Sequence, residues 1–103
     1  MTQETVIKTI KRFCTGKAEF SIYGAISSQS VYCVIRVGNA ETKIRVSDHK
    51  APKYKRSIRT FVWGKHTKQE TIERFVANTI ESLKRKSIKI AMESISKKRF
   101  IKM

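Results

Sequence analysis

The sequence predicts an α+β fold. The expected architecture is an antiparallel meander sheet of four strands, or of three, with an N-terminal helix and one or two C-terminal helices, in the order α-β-β-β-β-α-α. Apolar residues recur at helical spacing near both ends of the chain and at period two between them. The 103 residues suit one domain, since two would each be too small to bury a sound core. Apolar residues make up 40% of the chain, too many for a disordered basic tail. The expected domain covers residues 1–96, followed by a basic tail over 97–103.

A first helix is expected over residues 3–14. Val6, Ile7, Ile10, Phe13 and Cys14 fall on one face, with Lys8, Lys11 and Arg12 opposite. Thr2 is placed to cap it, Glu4 to meet the positive end of its dipole and Gly16 to end it. Four period-two stretches follow. Phe20 and Ile22 alternate with Glu19, Ser21 and Tyr23. Val31, Cys33, Ile35 and Val37 alternate with Tyr32, Val34 and Arg36. After the hairpin signal Gly38-Asn39, Thr42, Ile44 and Val46 alternate with Lys43 and Arg45. After a charged loop, Ile58, Thr60 and Val62 alternate with Arg59, Phe61 and Trp63. Thr67 and Glu70 are spaced as a capping box for a C-terminal helix, which carries the stripe Ile72, Phe75, Val76, Thr79, Ile80 and Leu83. The stripe resumes at Ile88, Ala91, Met92 and Ile95, but the step from Leu83 to Ile88 rotates the apolar face by about 140°. The expectation is a kink or break near Ser87 and then a third helix, with a strand over 88–92 as the alternative.

Strand alternation sorts the two sheet faces. Phe20, Ile22, Val31, Cys33, Ile35, Ile44, Val46, Ile58 and Val62 form the expected core face under the helices. Tyr23, Tyr32, Arg36, Lys43, Arg45, Arg59, Phe61 and Trp63 form the other, with Val34 its one aliphatic residue. A face mixing rings and cations suits stacking of bases beside phosphate contacts. Two alternatives stand beside this. The fourth strand fits in the reverse phase, with Phe61 and Trp63 buried, and the segment from Ile88 to Ile95 is long enough to cover the face as a third layer.

The chain has 23 Lys and Arg against 8 Asp and Glu, a net charge of +15. The excess is concentrated in two blocks. Residues 43–68 hold nine basic and one acidic side chain, and residues 84–103 hold eight and one. Clustering of this kind is the electrostatic footprint of polyanion binding. The expected function is therefore non-enzymatic binding of nucleic acid, DNA or RNA, through the phosphate backbone with low sequence specificity. The candidate contacts are Lys43, Arg45, Lys50, Lys53, Lys55, Arg56, Arg59, Lys65 and Lys68, with Tyr54 and Trp63 for stacking. The alternative is a small inhibitor or adaptor, of the kind phage and mobile elements carry, that docks on an acidic protein surface. A homodimer through the aromatic face is a further option.

No apolar run is long enough to span a bilayer. The start, Met1-Thr2-Gln3-Glu4, lacks a signal-peptide layout. Cys14 and Cys33 fall in apolar patterns rather than a disulfide framework, so an intracellular setting is expected. Two Cys and two His far apart argue against a zinc site, and no metal or cofactor is expected. Ser47-Asp48-His49 contains triad residue types, but neighbours on an extended chain point different ways. His66 and Glu70 are only two ligands, and Glu70 is better placed for capping.

Two element patterns invite comparison. Glu41-Thr42-Lys43 within an α-β-β-β-α order loosely resembles the Glu-x-Lys element of restriction-endonuclease-like nucleases. That resemblance implies a metal held with an Asp on the preceding strand, where Val31 to Val37 offers no acid. The same order resembles the double-stranded RNA-binding domain, with Gly64-Lys65-His66-Thr67-Lys68 at the basic start of the last helix. Here Lys68-Gln69-Glu70 replaces that family's Lys-Lys-x-Ala-Lys run, and a strand is added.

Overall fold

The computed structural model describes residues 2–24, 30–55 and 58–101, with the backbone alone for Lys55 and residues 94–101. Helix α1 (Gln3–Cys14) leads into strands β1 (Glu19–Tyr23), β2 (Ser30–Val37) and β3 (Ala40–Ser47). A turn of 3-10 helix (Lys53–Lys55), strand β4 (Arg59–Val62) and helix α2 (Gln69–Ile101) complete the described chain. Thr2 caps α1 as expected, its Oγ1 accepting the Thr5 N–H at 3.2 Å. Lys8 pairs with Glu4 one turn earlier at 3.1 Å. Gly16, at φ +78°, turns the chain out of the helix.

The four strands lie in the order β1-β2-β3-β4. The first three form the expected antiparallel meander, with Val37 opposite Ala40 across the Gly38-Asn39 turn. The fourth corrects the expectation: β4 runs parallel to β3, so the sheet is mixed. The connection over 48–58 is long enough to travel back along β3 and re-enter in the same direction.

Parallel pairing also settles the phase of β4. Arg59 lies opposite Ile44 and Phe61 opposite Val46, so both face the helices. Phe61 is buried and packs on Phe75 of α2, with ring centroids 4.9 Å apart. Arg59, on an edge strand, lays its guanidinium over the same ring at 4.6 Å while staying exposed. Val62, expected inside, is 44% exposed. The largest apolar side chain of the strand takes the buried side because α2 offers it a ring.

The helices pack together over one face of the sheet. The core joins Val6, Ile7, Ile10 and Cys14 of α1 to Val31, Cys33 and Ile35 of β2 and Ile44 and Val46 of β3. Ile72, Val76, Ile80 and Leu83 of α2 close it. Both cysteines are free and buried there. Burial pushes both thiols up, and Cys33, with Cys14 as the lesser cause, reaches about 12.

Two helix expectations are corrected. The hydroxyl of Thr67 accepts the Gly64 N–H at 2.7 Å instead of closing a capping box, and α2 starts two residues later. Nor does α2 break at Ser87. Ser87 is tolerated inside a helix, and its Oγ accepts the Asn39 N–H of the β2–β3 turn at 3.2 Å. The core stripe continues through Ser87 and Ile90, both half-buried. Ile88 and Met92 are thereby carried to the far side, where they are 61% and 63% exposed. The helix continues to Ile101, through the stretch expected as a tail. Residues 88–101 extend about 20 Å past the turn at 1.5 Å per residue.

Candidate nucleic-acid interface

With both helices on one side, the other face of the sheet is organised by strand register into rows of side chains. Nearest the β2–β3 turn, Glu19, Arg36 and Glu41 stand side by side. The next row is Ser21, Val34 and Lys43. The third is Tyr23, Tyr32, Arg45 and Thr60. In the first row Arg36 donates from Nε and Nη2 to Glu41 Oε2 at 3.2 and 2.8 Å, and its Nη1 lies 3.9 Å from Glu19. The hydrogen bond to Glu41, then the two carboxylate charges, raise the Arg36 guanidinium above its ordinary range. Glu41 and Glu19 thus serve an internal cation. Among the described residues no group of three or more His, Cys, Asp or Glu side chains is placed to hold a metal ion.

The third row begins with two tyrosines facing each other across β1 and β2. Lys43 reaches over both, its Nζ 5.8 Å from the Tyr23 ring centre and 5.2 Å from that of Tyr32. Tyr23 is 55% exposed. The expected mixture of rings and cations is present on this face, with Tyr23, Tyr32, Arg36 and Lys43 as its members. Phe61, Arg59 and Trp63 are not among them. Trp63 is half-buried against the core, and its Nε1–H donates to Gln3 of α1 at 3.2 Å.

Arg45 has a different fate. It belongs to the outer face, but it is buried, at 2% exposure. The chain turns back over it after β3, and Nη1 donates to the His49 carbonyl at 3.1 Å. Nη2 lies 3.4 Å from His49 Nε2. Arginine can only donate, so Nε2 is the acceptor and the ring proton sits on Nδ1. That Nδ1 is 2.7 Å from Asp48 Oδ1, and the bond holds the Asp48 carboxyl below its usual range. Arg45 Nε is buried without a hydrogen-bond partner. Arg45 is therefore held beneath the start of the loop and is not part of the exposed face.

Ser47, Asp48 and His49 do converge, contrary to the expectation for neighbours, because the chain bends there. Ser47 Oγ and Asp48 Oδ1 nonetheless both approach His49 Nδ1, at 3.2 and 2.7 Å. A nucleophilic relay needs the hydroxyl and the acid on opposite ring nitrogens. Here the other nitrogen faces Arg45, and Ser47 is fully buried.

Among the described residues, the remaining candidate cations are exposed. Lys50 and Lys53 project from the connection, and Tyr54 beside them is 80% exposed. Lys65 and Lys68 sit in the turn before α2. The Trp63 N–H donates to the Ser47 carbonyl at 3.0 Å, which brings that turn to the same end of the sheet as the start of the loop. Arg56 and the side chain of Lys55 lie outside the described residues. The second basic block starts with Lys84, about 24 Å from Lys68 along the direction of α2, so the first block ends where the helix begins and the second runs along its C-terminal half. Alternation in β1 and β2 was the signal for Tyr23 and Tyr32; only pairing register discloses the Glu19-Arg36-Glu41 row.

No protein-family model matches the sequence, and no curated protein or solved structure matches it at a significant level. Among the described residues no helix is long and apolar enough to cross a membrane.

Proposed function

We propose that this chain binds nucleic acid through its phosphate backbone and performs no catalytic step. One observation carries the reading. Among the described residues, the ion pairs of Lys and Arg with carboxylates are confined to Lys8 with Glu4 and Arg36 with Glu19 and Glu41. Lys43, Lys50, Lys53, Lys65 and Lys68 are exposed without such a partner, in a chain of net charge +15. Charge left unneutralised within a fold is balanced from outside, and a polyanion does so with release of its own counterions. The separation of the two basic blocks along α2 suits a long polyanion better than a compact anion.

The test is a salt titration. Replacing Lys43, Lys50 and Lys53 by Ala lowers affinity for all sequences alike and flattens the slope of log K against log salt by roughly 0.9 per lost contact on duplex DNA. Arg45→Met leaves the slope unchanged, because that side chain is buried. Unaltered binding and slope in the triple variant refute the assignment.

A second reading, docking on an acidic protein surface, is favoured by the projecting half of α2. There Ile88 and Met92 are exposed close to Lys84, Arg85 and Lys89. Failure to bind DNA or RNA near physiological salt, together with recovery of an acidic protein that Met92→Glu no longer retains, selects it.

A further inference from the structure

We infer that the open outer face of the sheet is a single-strand surface, on which an unstacked nucleobase enters the depression over Ser21 and Val34 and lies against Tyr23. This rests on the nucleic-acid reading above and specifies the form of the ligand. The depression has a simple origin. Ser21 and Val34 are short side chains in one row, between the tyrosine row on one side and the Glu19-Arg36-Glu41 row on the other. Two adjoining concavities result, of about 270 and 210 Å³, both lined by Tyr23, Val34 and Glu41. Lys43 borders the first and Arg36 the second.

Each wall has a use that a base satisfies and a duplex does not. An exposed ring stacks on a base face, and base faces are accessible only where the strand is unstacked. Arg36 gives Nε–H and one Nη2–H to Glu41 Oε2; its other N–H groups donate and the carboxylate oxygens it does not engage accept, the mixture that a base edge carries. The two carboxylates repel phosphates, which directs the backbone to the Lys43 side, toward Lys50 and Lys53. Tyr32 and Lys43 extend the contact to a neighbouring base and its phosphate.

Binding of oligo(dT), which forms no duplex with itself, is compared with binding of a mixed-sequence duplex of equal length. Tyr23→Ala weakens the single strand roughly 5- to 150-fold, the worth of one base on a ring, and leaves the duplex unchanged. Tyr23→Phe keeps the ring and retains wild-type binding. Ser21→Phe fills the depression and weakens the single strand as well. Thermal melting verifies that the variants fold, which is expected because Tyr23 and Ser21 are exposed on an edge strand. Unchanged oligo(dT) affinity in Tyr23→Ala, or an equal loss on the duplex, overturns the inference. If Lys50→Ala and Lys53→Ala still weaken both forms, the backbone reading survives that result. A wild-type chain that binds neither form overturns both.

Discussion

Gly38 holds the place where α2 leaves the sheet, and its replacement by alanine tests that junction. Gly38 is the first residue of the two-residue turn between β2 and β3 and has φ +58°. Asn39 keeps a negative φ, the pattern of a type II′ turn, which calls for Gly at the first position. A Cβ at Gly38 meets the Ser87 Oγ and lies 3.4 Å from the Ser87 Cβ. Two costs follow in Gly38→Ala. The left-handed backbone costs about 1–2 kcal/mol in an L-residue. The Ser87 hydroxyl must also swing away and give up the Asn39 N–H, about 1 kcal/mol more. The total is roughly 2–3 kcal/mol, read as a fall in the urea midpoint by circular dichroism. The same substitution in a Ser87→Ala background meets no hydroxyl and costs only the backbone share, so the double-mutant cycle shows a coupling of about 1 kcal/mol. Equal costs in the two backgrounds, or a cost under about 0.5 kcal/mol, refute the docking of this turn on α2. The junction sets the point from which the basic half of the helix projects.

Two other outcomes test the core and the placement of Trp63. The Cys33 thiol ionises near 9 in the unfolded chain and near 12 when folded. Its contribution is complete below pH 9 and is lost as pH rises toward 12, by up to about 1.4 kcal/mol per pH unit. Cys33→Ala removes that share of the alkaline slope in denaturation midpoints, and parallel slopes in the two proteins contradict a buried neutral thiol. Trp63, tied to Gln3 and packed against the core, should emit at short wavelength and change little when nucleic acid is added. Trp63→Phe should retain binding at a stability cost of roughly 0.5–1.5 kcal/mol for the lost hydrogen bond, whereas strong quenching returns Trp63 to the interface.

What was legible along the chain was what neighbours within a turn or two decide. The Thr2 cap, the α1 stripe, the end at Gly16 and the three-strand meander all follow from such short-range signals. For β4 those signals were balanced. Ile58 and Val62 on one side and Phe61 and Trp63 on the other are both apolar, and nothing local distinguishes an antiparallel return from a parallel one. Phe75, far along the chain, breaks the tie by offering Phe61 a ring to pack on. The candidate site divides in the same way. Alternation placed Lys43, Tyr23 and Tyr32 together and also placed Arg45 on that face, but whether a face is open depends on where the following loop folds, and it folds over Arg45.

The sequence by itself therefore determined the fold class, most of the core and the size and rough location of the positive charge, because these rest on residue type and local periodicity. Only the tertiary structure decided the direction and phase of β4, the unbroken course of α2 past Ser87 and which cations reach solvent. Each of these depends on a contact between residues distant in sequence, and such contacts form only when the layers pack.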